Sequence, residues 1–307
     1  MSGASQGERT PTLSVGRATA LVAFSACCFG SIAILVTLAT RAGARLSEVL
    51  AWRFLIAAVL LAIIAGGPSA VRREARRGLP LAVLAGGGQA AIGGLSLSAL
   101  RFIPAATMIF LFYTYPAWVT VISAVRGKEA LTGRRLTALV LSLAGIAVMV
   151  GLPGTGSSSV ATPGVLLALA GALLYALYIP MINHLGRELP PALTATYATT
   201  GAGIILSIAA AVSGGFAVQP ASVWLTILVL AVLCTVIAFT SFLRGLAALG
   251  PVRTAIVSTV EPFWGALLGS IVLAQPLAAR TLTGGVLVAA AVLILNMPQR
   301  VDTPVAA

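Results

Sequence analysis

The sequence predicts an all-α polytopic membrane protein with ten transmembrane helices in two five-helix inverted repeats. Three observations lead there: an apolar composition, apolar stretches of spanning length, and a self-match at one fixed offset. Of the 307 residues, 59% are hydrophobic and 8% charged. A soluble domain carries about 45–50% apolar and about 25% charged residues. Stretches of about 20 apolar residues recur along the chain, each long enough to cross roughly 30 Å of hydrocarbon. Barrel strands would read as alternating segments of about 10 residues, and these segments do not alternate.

The ten spans follow in order at 17–40, 47–66, 79–100, 103–125, 134–151, 162–184, 192–213, 221–243, 252–273 and 280–297. Loop chemistry separates them, as in GGPSAVRREARRG (66–78), RGKEALTGRR (126–135), GLPGTGSSS (151–159) and GGFAVQP (214–220). The net charge of +12 sits in such loops, where it fixes topology, so no nucleic-acid partner is expected. With the N-terminus cytoplasmic, inner segments hold fourteen of the 19 basic residues, and outer ones only Arg41, Arg45, Arg101 and Arg280. Arg53 lies inside the second span. Positive charge gathers on the cytoplasmic side, which places both termini inside. Residues 1–16 read as a cytoplasmic tail, because no small-residue cleavage site follows an apolar core. Residues 298–307 form a second tail. Cys27, Cys28 and Cys234 lie in apolar runs and read as packing residues, not disulfides or metal ligands.

The two repeats, 17–151 and 162–297, emerge from a shift of 146 positions. The shift lays YPAW (115–118) on EPFW (261–264), Leu100 on Leu246, Leu131 on Leu277, Arg134 on Arg280, and Leu136-Thr137 on Leu282-Thr283. It also lays Arg41 on Arg187 and Phe29 on Tyr175. Five spans per repeat is an odd number, so the second repeat enters the membrane from the opposite side. Inverted repeats are an architecture that many secondary transporters use for alternating access.

The second half carries EPFWGALLGSIVLAQPLAARTLTGGVLVAAAVLILN, and the first carries YPAWVTVISAVRGKEALTGRRLTALVLSLAGIAVMV and AWRFLIAAVLL. In these segments the chain resembles the drug/metabolite transporter superfamily, specifically ten-helix exporters with two EamA-type domains. The bacterial aromatic amino-acid exporters are the branch it is most similar to. The resemblance implies export of small metabolites, most often amino acids, through a central cavity between the halves, in a bacterial inner membrane. One departure stands out. The family carries Glu after the fourth and ninth helices; here Glu129 is kept, but its partner is Gln275.

Glu261 lies about halfway along the ninth span. Intramembrane acids are rare and face a cavity or a partner. It reads as a contact for a substrate amine, a proton carrier, or a structural carboxylate beside a proline break. Pro116 and Pro262 sit at matching depths of spans four and nine. Each removes a helical hydrogen bond and kinks its helix, and paired interruptions point to a transport site. Their role is to shape the site. Arg53 lies about 9 Å into its span at 1.5 Å per residue. It either snorkels outward or pairs structurally, or it reaches Glu261 or a substrate carboxylate across the cavity. Gln89, among the glycines of LAGGGQAAIGG, offers a midplane amide to a zwitterion or to a neighbouring helix. Tyr115 and Tyr178 are the aromatic candidates, with Tyr113 and Tyr175 nearby and Trp264 one turn beyond Glu261. His184 reads as an interfacial anchor. The GALLG pattern at 265–269 reads as helix packing within one chain.

No Walker-type phosphate loop, HExxH pattern or nucleophile turn is present, so neither a catalytic residue nor a cofactor or metal is expected. The expected partners are the lipid bilayer and a small-molecule substrate, with the chain acting as a monomer. The leading function is amino-acid export, broad across neutral and aromatic side chains. An exporter or exchanger of nucleotide-sugars or organophosphates would need more cations than Arg53. A membrane-embedded enzyme would need an acid pair or a central histidine. Two energy couplings stay open: proton carriage by Glu261, or facilitation with Glu261 mainly structural or substrate-facing. Facilitation is the expectation.

Overall fold

The computed structural model describes residues 14–115, 118, 121, 122, 125, 132–150, 161–186, 188–258 and 260–296. Among them every regular element is helical. The first half holds α1 (Val15–Gly30), α2 (Ile32–Arg41), α3 (Leu46–Ile64), α4 (Gly67–Arg73), α5 (Ala75–Pro80), α6 (Gly86–Ser98), α7 (Ala105–Phe112) and α8 (Gly133–Val150). The second holds α9 (Thr162–Leu185), α10 (Pro191–Val212), α11 (Ala221–Ala231), α12 (Ala238–Ser258), α13 (Val260–Leu273) and α14 (Ala279–Asn296). Leu81–Ala85 and Val232–Ile237 are π-helical, in the third and eighth spans. Local chemistry sets several ends. The Ser14 side chain accepts from the Arg17 N–H and caps α1. Gly66 (φ 104°) and Gly214 (φ 111°) take left-handed conformations just past α3 and α10, where a side chain would be strained.

Among the described residues, six helical stretches are long and apolar enough to cross a membrane: Val15–Arg41, Leu46–Ile64, Ala75–Arg101, Thr162–Ile179, Pro191–Val212 and Ala221–Phe242. Shorter apolar helices at Leu136–Val148, Val260–Leu273 and Ala279–Ile294 fall on three more of the expected spans. The remaining span, 103–125, is described through α7 and in part beyond it. Val59, Ile63, Leu166, Ile208, Leu225 and Ile271 point outward and exposed. In water such a surface is a liability; against lipid it is the natural exterior. The structure moves one boundary. The loop expected at 244–251 is helical, because α12 runs from Ala238 to Ser258. Leu246, Ala247, Ala248 and Leu249 are strong helix formers, and Pro251 removes only one backbone donor.

The packing follows the repeat. Helix α3 lies along α10, α8 along α14, and α7 on α13; α1 lies along α12, and α6 along α9. Exchanging the halves carries each of the first three span pairs onto itself and swaps the last two. Helices α8 and α14 coincide residue for residue under the 146-position shift. The inversion is visible at the ends of the α3–α10 pair. Near the start of α3, Glu48 (1% exposed) accepts from the Ala217 N–H at 3.2 Å and the Gln219 amide at 2.5 Å, both just past α10. Near the start of α10, the Tyr197 hydroxyl donates to the carbonyl of Val71, just past α3. Val71 and Ala217 are 146 positions apart. The start of each helix therefore meets the end of the other, as antiparallel packing requires. Arg45 closes the first of these junctions, pairing with Glu48 and donating to the Ser213 carbonyl at 2.5 Å.

Candidate functional site

The site begins with two prolines. Helix α7 stops at Phe112, and Ser258 is the equivalent position in the second half. Four residues beyond each lies a proline, the residue whose missing N–H would have met that carbonyl. Pro116 lies outside the described residues. Pro262 is buried in the first turn of α13. The Ser258 carbonyl therefore has no helical donor, and the other half supplies one. The Tyr113 hydroxyl donates to it across 2.6 Å. The same hydroxyl lies 2.8 Å from a carboxyl oxygen of Glu261. One phenol thus joins the carbonyl that Pro262 leaves open in the ninth span, the acid of that span, and the turn that follows α7.

Aromatic rings continue from this junction. Tyr113 meets Tyr115 at 5.8 Å between centroids, Tyr115 meets Tyr175 edge-on at 4.8 Å, and Tyr175 stacks on Tyr178 at 6.1 Å. Phe112 packs on Tyr175 at 5.2 Å. The rings pack on one another in this conformation, and the cluster is contributed by spans four and six. Tyr115, Tyr178 and Glu261 are thereby brought together. Gln89 is next to Gly88, where an added Cβ would sit 2.9 Å from the Tyr178 ring. Its Oε1 is buried without a hydrogen-bond partner.

The other candidates sit differently. The Trp264 indole N–H donates to Ser31 at 3.0 Å, at the interruption between α1 and α2. Arg53 is 7% exposed, so it does not snorkel. Its Nε donates to Thr235 at 2.8 Å, and its guanidinium lies 5.1 Å from the Phe54 ring centroid. Neither Arg53 nor Glu261 enters an ion pair among the described residues. Thr235 belongs to the π segment, where its hydroxyl also bonds the Leu230 carbonyl five residues back. Gln89 and Thr235 are equivalent positions, 146 apart.

Close backbone contact fixes the acid's surroundings. A Cβ on Gly30 would lie 2.6 Å from the Glu261 carbonyl oxygen, and one on Gly265 would lie 3.0 Å from the Gly30 oxygen. Helix α1 thus crosses α13 at these glycines, and the first glycine of GALLG serves packing inside the chain. Gln275, the departure from the family pattern, has a structural task. Its Oε1 accepts from the Ala105 N–H at 3.1 Å and caps α7. His184 is exposed in the last turn of α10's predecessor, α9. Among the described residues no three His, Cys, Asp or Glu side chains converge as a metal site would need.

Three contributors escape sequence reasoning: Tyr113 as the hydrogen-bonding tyrosine, the Ser258 carbonyl as its acceptor, and buried Glu48. A signal for the first existed. Tyr113 stands one residue past Phe112, whose carbonyl Pro116 leaves without its helical donor.

The comparisons agree with this architecture. The model of the EamA-like transporter family matches residues 17–151 and 162–297. No curated protein matches the chain. A solved structure described only as "Crystal structure of protein" is 21% identical, covers 90% of this chain and 95% of its own, and superposes with a TM-score of 0.62. That likeness speaks to the fold alone. The family match covers nearly the whole chain, and the chain belongs to the EamA-like transporter family, as a multi-pass membrane transporter of the drug/metabolite superfamily with two EamA-like domains.

Proposed function

We propose that the chain exports amino acids, neutral and aromatic ones above all, across a bacterial inner membrane by alternating access between its two five-helix halves. Both termini face the cytoplasm and the chain works as a monomer. One observation carries the reading: a single acid, Glu261, stands next to Pro262 in the ninth span, beside a cluster of tyrosine rings. A carboxyl group suits a substrate ammonium, and stacked rings suit an apolar or aromatic side chain. Gln89 and Arg53 are the candidates for the substrate carboxylate. Trp264 positions α13 through Ser31, while Pro116 and Pro262 shape the breaks. Few polar groups surround the acid, which favours broad selectivity and modest affinity. Rocking of the halves would part the rings and expose the site to either side.

An organophosphate or nucleotide-sugar exchanger is the second reading. It needs cations at the site, and the buried one, Arg53, is engaged with Thr235. An embedded enzyme has less support still, since the acid has a tyrosine partner and, among the described residues, no second acid beside it. The test is reconstitution of the purified protein into liposomes with labelled phenylalanine, leucine and glutamate. Uptake of phenylalanine and leucine that each inhibits in the other is the expected result. Absence of any amino-acid uptake would overturn the reading.

A further inference from the structure

The Tyr113 hydroxyl has one hydrogen and two acceptors. The Ser258 carbonyl lies 2.6 Å away and a Glu261 carboxyl oxygen 2.8 Å away. A carbonyl accepts only, and so does an ionised carboxylate. With Glu261 ionised, one of the two contacts would have no hydrogen in it. With Glu261 protonated, both are satisfied in series: the Glu261 hydroxyl donates to Tyr113 Oη, and the Tyr113 hydroxyl donates to Ser258.

Among the described residues no other group satisfies a charge there. Helices α1, α2 and α7 pack on α13. From α1 comes Cys27, and from the segment after α7 come Tyr113 and Tyr115. Tyr175 faces the acid from α9. The basic residues of α1 and α2, Arg17 and Arg41, are exposed at the outer ends of those helices. Among the described residues no cation pairs with Glu261.

We infer that Glu261 holds a proton in this conformation and that exchange of this proton for a substrate ammonium is the coupling step of transport. The step moves only a proton and a ligand. The Glu261 O–H bond breaks, the proton passes to water on the side to which the site is open, and the carboxylate left behind pairs with the entering ammonium. Tyr113 then turns its hydrogen to the carboxylate and releases the Ser258 carbonyl. Protonation thereby decides whether a side chain of the first half holds the proline-containing helix of the second. Proton and amine compete for one carboxyl group, so they cross in opposite directions. This departs from the facilitation expected from the sequence. The exchange rests on the proposed cargo carrying an amine; the protonated Glu261–Tyr113–Ser258 chain does not.

Two measurements test it. Infrared spectra of the protein in liposomes at neutral pH should contain a carboxylic-acid carbonyl band that Glu261→Gln removes and Tyr113→Phe shifts. The absence of any band lost in Glu261→Gln overturns the protonated chain, whatever the cargo. In proteoliposomes with the voltage clamped at zero and the lumen one pH unit more acidic, labelled phenylalanine should accumulate about tenfold over the outside concentration. In Glu261→Gln the ratio of final levels with and without the gradient should fall to one. Entry of phenylalanine that stops at the outside concentration in the wild type overturns the coupling. Failure of phenylalanine to enter under either condition overturns the amine exchange together with the proposed cargo, and the infrared result alone then decides the proton site.

Discussion

The Tyr113 hydroxyl donates to the backbone carbonyl of Ser258 across 2.6 Å. The proline kink of the ninth span is therefore not a defect left open in a low-dielectric interior. A side chain of the other repeat closes it. The cost that proline imposes on one helix becomes a contact between the halves, at the place where transporters of this architecture must move.

Tyr113→Phe removes the hydroxyl and leaves a buried carbonyl without a donor. We expect a loss of about 1–3 kcal/mol, seen as a lower unfolding temperature in detergent. Tyr175→Phe is the control. Its ring packs in the same cluster, but no hydrogen bond from its hydroxyl contributes to the break, and its stability should stay within about 0.5 kcal/mol of the wild type.

Gly30 allows α1 to approach the Glu261 backbone. A Cβ there lies 2.6 Å from a carbonyl oxygen, which cannot swing away as a side chain can. Gly30→Ala should cost about 1–3 kcal/mol by overpacking and slow uptake in proteoliposomes. Gly94→Ala meets nothing within 4 Å and should be neutral, or stabilising by up to about 1 kcal/mol through helix propensity. Equal behaviour of the two variants would contradict the crossing described here.

Glu48 ties α3 to the segment after α10 through Arg45, Ala217 and Gln219. Glu48→Ala removes the acceptor of the Ala217 N–H and one acceptor each of Arg45 and Gln219. A loss of about 2–3 kcal/mol is expected, measured by thermal unfolding. Arg45 remains partly exposed and can rehydrate, which keeps the loss below that of a fully buried pair.

Gln275→Ala should cost about 1 kcal/mol, the usual worth of a helix cap, because the Ala105 N–H loses its acceptor. Gln275→Glu restores the oxygen and adds charge at the helix N-terminus, so it should match or exceed the wild type by about 0.3–1 kcal/mol. Unfolding temperatures of the three proteins give the order.

The features legible in the sequence were those written in one dimension. Apolar length gave the spans, and a constant offset gave the repeat and the equivalence of Pro116 with Pro262. The depth of each residue along its span brought Glu261, Tyr115 and Tyr178 to the same level. What stayed hidden depends on which faces meet. Tyr113 and Ser258 are 145 residues apart, and Arg53 and Thr235 are 182 apart. Nothing in either local sequence names the other. Arg53 looked able to snorkel because depth alone does not reveal that Thr235 holds it. Buried Glu48 stayed hidden because Ala217 and Gln219, two of its partners, come from the other repeat. The gap between the expected eighth and ninth spans closes for a local reason: the Leu-Ala-Ala-Leu run before Gly250 and Pro251 carries the helix through.

Counterflow tests the central claim, that the Glu261 cluster is where an amino acid crosses, most directly. Vesicles holding purified protein are loaded with unlabelled phenylalanine and diluted into a trace of labelled phenylalanine at equal pH on both sides. The account predicts transient accumulation of label above its equilibrium level by the wild type, reduced about tenfold or more in Glu261→Gln, since a hydrogen bond to a charged group contributes about 1.5–3 kcal/mol. Counterflow of equal size in the two proteins, or none in the wild type, would contradict it.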